Sequence, residues 1–189
     1  MDEKVKSIIL KIEDLLIKQE YLLIAIDGRC GSGKTTLAEN LKNEIDCNII
    51  PMDHFFLRPE QRNEKRMKEP GGNVDYERFY TDVLIPLKRN TPFSYTRFDC
   101  NKQKMSQPID IEPKRVNIIE GVYSCHPKFF SFYDYRIFLH IDEFEQKKRI
   151  IKRNGESVYN IFKDKWIPPE ELYFKTYGIK EKCDAIFTL

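Results

Sequence analysis

A chain of 189 residues, 41% hydrophobic and 33% charged, can bury about two-thirds of its unfolded surface in one core and is too apolar to be disordered. Its 32 basic and 30 acidic residues leave a net charge of +2, which gives no reason to expect a nucleic-acid partner. The longest strongly apolar stretch, residues 21–26, is far too short to span a bilayer, so no membrane partner is expected either. No apolar signal core follows Met1-Asp2-Glu3-Lys4, and five dispersed cysteines without a CxxC argue against a disulfide framework. The expectation is a cytoplasmic protein with reduced thiols; its oligomeric state stays open.

Residues 2–18 predict an amphipathic helix, because Val5, Ile8, Ile9, Ile12, Leu15 and Leu16 recur at helical spacing between charges. Residues 22–26 form a continuous apolar run, as in a strand buried on both faces. A glycine-rich turn over 28–33 leads into a helix over 34–44, with Leu37, Leu41 and Ile45 on one face. A second strand is predicted over 47–52. The polar stretch 57–73, ending in Pro70-Gly71-Gly72, is long for a passive loop, and lids commonly explain such stretches. Next come a helix over 75–88 and two extended pieces within 92–111 around Asn101-Lys102-Gln103, a candidate hairpin. Strands are expected at 116–119, 135–141 and 185–189. A strongly basic helix is expected at 143–153 and another at 168–177, started by prolines. Alternating strand and helix predict a parallel sheet covered on both faces, in which ligands bind beyond the carboxyl ends of the strands.

The motif with the most chemistry is Gly28-Arg29-Cys30-Gly31-Ser32-Gly33-Lys34-Thr35, followed by Thr36, which fits GxxxxGK[ST] at every fixed position. A triphosphate needs many donors at short range. Glycines let the backbone wrap with its N–H groups inward, and the following helix turns its positive end to the phosphates. Lys34 would reach the terminal phosphates and the Thr35 hydroxyl would serve Mg²⁺. An apolar strand before the motif and a helix after it supply the context it requires. Cys30 reads as a small filler within the loop.

No NKxD-type base reader or DxxG switch accompanies the loop, which excludes the usual GTPase reading; Asn101-Lys102-Gln103-Lys104 lacks the aspartate. Six segments in order then resemble the uridine kinase and phosphoribulokinase group of P-loop kinases: the glycine loop, Met52-Asp53-His54-Phe55-Phe56, Val74-Asp75, the stretch 95–99, Ile119-Glu120-Gly121-Val122, and the basic helix with Arg149 and Arg153. The resemblance covers most of residues 20–189. It implies a three-layer α/β/α fold with a mostly parallel five-stranded sheet, in one domain over 1–189. Residues 57–73 and 91–111 would be acceptor-side insertions and about 143–165 a lid.

The resemblance also implies roles. Asp53 would be the base for an acceptor hydroxyl and would help hold Mg²⁺ with Thr35 and Glu120. Arg149 and Arg153 would close over the phosphates of ATP. Asp75 would hold a sugar hydroxyl, although an N-cap role is an even alternative. Phe56, Tyr95 and Arg97 would line the acceptor pocket, or pack within the hairpin. The family's pyrimidine-reading hairpin starts Tyr-Asp-Phe and carries a downstream histidine; Tyr95-Thr96-Arg97 departs from it, and Gly72-Asn73-Val74 replaces the His-Pro before the sugar-binding aspartate. The nucleotide machinery therefore carries over without the acceptor. Arg97 would suit an anionic acceptor such as a sugar phosphate or an organic acid. The leading reading is an ATP-dependent phosphotransferase acting on a hydroxyl of a nucleoside, sugar or organic acid; the alternatives are an ATP-binding regulatory module or a scaffold without phosphotransfer.

Overall fold

The computed structural model describes residues 2–100 and 102–188. Asn101, at the tip of the expected hairpin, and Leu189, at the end of the last expected strand, lie outside the described residues. The strands are β1 (Leu22–Gly28), β2 (Cys47–Pro51), β3 (Phe93–Asp99), β4 (Lys104–Ile111), β5 (Val116–Glu120), β6 (Tyr135–His140) and β7 (Ala185–Thr188). Five of them pair in the order β2-β5-β1-β6-β7, each pairing parallel. β1 lies at the centre with all seven of its residues buried, which explains its unbroken apolar run.

The pleat divides the core in two. Leu22, Ile24 and Ile26 of β1 face one side with Val116 and Ile118, and pack on Val5, Ile8 and Ile12 of α1 (Glu3–Lys18) and on Leu37, Ala38 and Leu41 of α2 (Lys34–Glu44). Leu23, Ala25, Ile119 and Phe138 face the other side, against Phe79, Val83, Phe129, Tyr173 and Phe174. This is the expected three-layer arrangement. A fully buried side chain of this size stabilises by about 1.5–3 kcal/mol, so the three core residues of α1 are enough to seat that helix. Among the described residues no helix is long and apolar enough to cross a membrane.

Short helices fill the rest: α3 (Glu64–Lys68), α4 (Tyr76–Phe79), α5 (Ile85–Arg89), α6 (Glu143–Asn154), α7 (Glu156–Ile161), α8 (Ile167–Tyr177) and α9 (Ile179–Lys182). Two π-helical turns join neighbours into longer runs: Tyr80–Leu84 links α4 to α5, and Phe162–Trp166 links α7 to α8. Each stops two residues before a proline, Pro86 and Pro168. Proline lacks the N–H that the carbonyl four residues back would use, and its ring needs room there; widening one turn meets both demands. The sequence expectation that a helix begins at the prolines of 168–177 is thereby corrected: the helical run begins at Glu156, and the prolines lie inside it.

The hairpin β3–β4 stands apart from the main sheet, antiparallel, with its register shifting between Thr96 and Phe98. The stretch 57–73 is tied down. Phe56 bridges to Val74, Arg62 clasps the Leu57 carbonyl, and Arg66 donates to the carbonyls of Gly72 and Val74 at 2.8 Å each.

Candidate active site

The carboxyl ends of β1, β2 and β5 open into a cavity of about 560 Å³. The glycine loop forms its floor through Cys30, Gly31, Gly33, Lys34, Thr35 and Thr36. Gly28 ends β1 with φ +140°, and a Cβ there would lie 2.3 Å from the Leu139 carbonyl oxygen, so only glycine lets β1 and β6 lie this close. Gly33 caps α2 in the left-handed region, φ 85°. Gly28, Arg29 and Ser32 are not in the lining. Ser32 is buried, and the Arg29 side chain turns outward to a bidentate pair with Glu171 (2.6 and 2.8 Å) and to the Ile141 carbonyl.

The Lys34 ammonium is held over the loop by the carbonyls of Gly28 (2.7 Å) and Arg29 (2.9 Å). It is the cation that acts on every carboxylate nearby: Asp27, Asp53, Glu120 and Glu170. The Thr35 hydroxyl lies 3.2 Å from both oxygens of Glu120, at the end of β5. Burial pushes the Glu120 carboxyl above its ordinary range, Lys34 opposes this, and the Asp53 charge adds to it. Asp53 sits in a 3-10 turn (Met52–Phe55) directly after β2. Among the described residues its side chain makes no hydrogen bond, so it caps nothing and opens into the cavity. Surrounding protein pushes its carboxyl up, while Lys34 and Arg153 pull it down; the side chain keeps contact with solvent, which moderates the first effect.

Arg149 and Arg153, one turn apart on α6, both face the cavity, whereas Lys147, Lys148 and Lys152 do not line it. Phe162 and Trp166, from the π turn behind α7, complete that wall. Phe56, Arg62, Met67, Asn73 and Cys100 line the cavity from the 53–73 stretch and the hairpin. The other three acceptor-side candidates lie outside the lining. Asp75 is buried as the N-cap of α4, accepting from the Arg78 amide (3.2 Å) and pairing with the Arg78 guanidinium (3.3 Å). Tyr95 is buried on Phe55, with its hydroxyl 3.0 Å from His54 Nδ1. Arg97 is exposed on the hairpin and faces Asp99 at 3.8 Å. Asp75 thus caps a helix and Tyr95 packs in the core.

Three residues that sequence reasoning leaves with little or no role hold this floor together. Asp27, fully buried, accepts from the amides of Gly28 (2.7 Å), Tyr123 (3.2 Å) and Cys125 (2.9 Å) and from the Tyr173 hydroxyl (2.8 Å). It binds the glycine loop, the loop after β5 and α8 at one point. Burial raises its carboxyl, and those hydrogen bonds oppose the shift. Glu170 accepts from the Cys30 amide at 3.0 Å, and burial lifts its carboxyl to about 7. Tyr123 lines the cavity with φ +75°, a conformation uncommon outside glycine and found at functional turns. A charged residue closing a wholly apolar strand is the one signal that could single out Asp27. The Cys30 thiol, raised to about 12 by burial and then by Glu170, is a filler rather than a thiolate.

The donors offered to a cation are a hydroxyl and carboxylates, all oxygen, which fits Mg²⁺ rather than a softer metal. Among the described residues no group of three or more His, Cys, Asp or Glu side chains forms a cage.

No protein-family model matches the chain. It is 25% identical to a uridine kinase of Ureaplasma parvum serovar 3 over 143 residues, covering 70% of this chain and 69% of that one. It is 27% identical to a uridine kinase of Chlamydia pneumoniae over 155 residues, covering 72% and 67%. Among solved structures, a possible uridine kinase of Bacillus stearothermophilus aligns with TM-score 0.67 and 19% identity over 96% of this chain and 99% of that one. A proposed fructose transport system kinase from Silicibacter sp. TM1040 aligns with TM-score 0.72 and 21% identity, over 94% and 97%. The chain is thus similar in sequence to these uridine kinases over about 70% of its length, and it shares the fold of the two solved structures.

Proposed function

We propose that this protein transfers the γ-phosphate of ATP to a hydroxyl of a small molecule. The observation that carries the reading is the convergence of Lys34, Thr35, Glu120, Asp53, Arg149 and Arg153, from four separate segments, on one cavity. Phosphoryl transfer asks little covalent chemistry of a protein; it needs positioned reactants and neutralised charge. Amides of the glycine loop and the Lys34 ammonium would bind the phosphates, and Arg149 and Arg153 would offset charge that develops in the transition state. Asp53, unencumbered by hydrogen bonds, would accept the proton of the acceptor hydroxyl. The Thr35 hydroxyl with Glu120 and Asp53 would hold Mg²⁺, which when bound neutralises phosphate oxygens.

Segments 57–73 and 91–111 would form the acceptor side of a single domain over 1–189, with about 143–165 as a lid, and we read the protein as cytoplasmic. Uridine kinase relatives make a nucleoside one acceptor class to test; the departures at Tyr95-Thr96-Arg97 and at Gly72-Asn73-Val74 make sugars and organic acids others. The test is acceptor-dependent ADP release together with calorimetric binding of Mg–ATP. Asp53→Asn should lower kcat by about 100-fold or more and leave the affinity for Mg–ATP within a factor of about three. Unchanged turnover in that variant removes the proposed base. Mg–ATP binding with no acceptor-dependent turnover in the parent protein would favour a regulatory module.

A further inference from the structure

Off the cavity, Arg29, Arg58, Arg66, Arg78, Arg97 and Arg136 each have a carboxylate partner within 4 Å, while Arg89 and Arg115, exposed to solvent, have none among the described residues. The three that line the cavity, Arg62, Arg149 and Arg153, have none among the described residues. A guanidinium left unneutralised beside a partly desolvated cavity is placed to receive charge from a ligand. Arg149 and Arg153 come from α6 and are accounted for by the phosphates of ATP. Arg62 comes from the other side, within the stretch that also contributes Phe56, Met67 and Asn73.

Its posture is fixed. Nε and Nη2 both donate to the Leu57 carbonyl, at 3.0 and 2.9 Å, and the guanidinium lies 6.0 Å from the Phe98 ring centre. One edge is thus spent on the backbone, and Nη1 remains for a ligand. Asp53 and Arg62 line the same cavity from different segments, the turn after β2 and the stretch 57–73. An acceptor that offers its hydroxyl to Asp53 and also reaches Arg62 must carry an anionic group away from that hydroxyl.

We infer, building on the phosphotransferase reading, that the acceptor is itself an anion, a hydroxyl compound bearing a carboxylate or a phosphate, and that Arg62 is the residue that selects it. This moves the anion-binding role from Arg97, which the structure leaves outside the cavity beside Asp99, to Arg62.

Matched pairs of acceptors test it: glycerol and glycerate, ribose and ribose 5-phosphate, uridine and uridine 5′-monophosphate, each with Mg–ATP and read as ADP release. The anionic member of at least one pair should exceed its neutral partner by at least about 10-fold in kcat/KM. Arg62→Gln should raise the KM for that acceptor by at least about 10-fold, with KM for ATP within about twofold, and Arg62→Lys should recover part of the loss. Melting curves of both variants check that the loop stays folded. Preference for the neutral member in every pair that reacts overturns the inference and leaves the kinase reading standing. So does an anionic preference that survives Arg62→Gln and disappears in Arg97→Gln. No turnover with any of the six, with Mg–ATP binding intact, overturns the phosphotransferase reading and the inference with it.

Discussion

The floor of the cavity and the wall proposed to receive the acceptor are built in opposite ways. The floor rests on regular elements: the ends of β1 and β5 and the start of α2, buried and joined through Asp27. The acceptor wall is a 3-10 turn, a pinned irregular stretch and a detached hairpin, held by arginines that grip backbone carbonyls. A triphosphate presents the same shape whatever the acceptor, so its cradle can be rigid and central. An acceptor differs from enzyme to enzyme, and side chains on loops can change without disturbing the sheet. The contrast gives two different expected consequences of damage.

The largest effect should follow from Asp27→Ala. It leaves the Tyr173 hydroxyl and the amides of Tyr123 and Cys125 without their acceptor in a fully buried place. About 3–5 kcal/mol of stability should be lost, and nucleotide binding with it. Urea unfolding measures the first and calorimetry the second; a variant as stable as the parent would mean that Asp27 is not the joint between the three segments. Arg66→Ala is the matching break in the acceptor wall. Its guanidinium holds Gly72 and Val74, lies 3.4 Å from the Tyr76 ring centre, and pairs with Glu77, whose exposure limits what that pair contributes. A loss of about 1–3 kcal/mol is expected, with the KM for the acceptor raised and that for ATP unchanged. Equal damage to both substrates would erase the distinction between floor and wall.

The same division decides what the sequence could disclose. The glycine loop is legible because its chemistry is local: consecutive residues carry the donors, and the strand and helix beside them carry their own periodicity. Asp53, Glu120 and the α6 arginines are legible as strand-end or helix-face residues, since the parallel sheet dictates which ends matter. The acceptor wall is not. Arg62 and Arg97 lie in equally polar stretches, and only the fold of 57–73 against the hairpin puts the first inside the cavity and the second outside. Asp75 fits two roles in sequence, and the structure shows the capping one, through the Arg78 contacts. In the sequence the last helix of the run from Glu156 to Tyr177 is expected to start at 168, because Pro168 and Pro169 mark helix starts far more often than they sit behind a π turn. Phe162 and Trp166 are hidden by that reading.

The smallest effect should arise where that helical run meets the floor. Glu170 lies against the Cys30 amide with its carboxyl lifted to about 7, chiefly by burial, while the Cys30 amide and Lys34 oppose the lift. In the unfolded chain a glutamate titrates near about 4.3. Between those values the folded protein holds a proton that the unfolded chain has released, so stability falls as pH rises through this window and the penalty is complete above about 7. Glu170→Gln removes the titration and keeps a carbonyl oxygen for the Cys30 amide. The variant should hold its stability between pH 5 and pH 8 while the parent loses stability, so that the gap between the two widens as pH rises. Parallel stability curves at the two pH values would mean that Glu170 is already ionised in the folded state, with the Lys34 charge outweighing its burial. The floor would then carry a full carboxylate beside the loop that receives the phosphates, and nucleotide binding should strengthen in Glu170→Gln at both pH values alike.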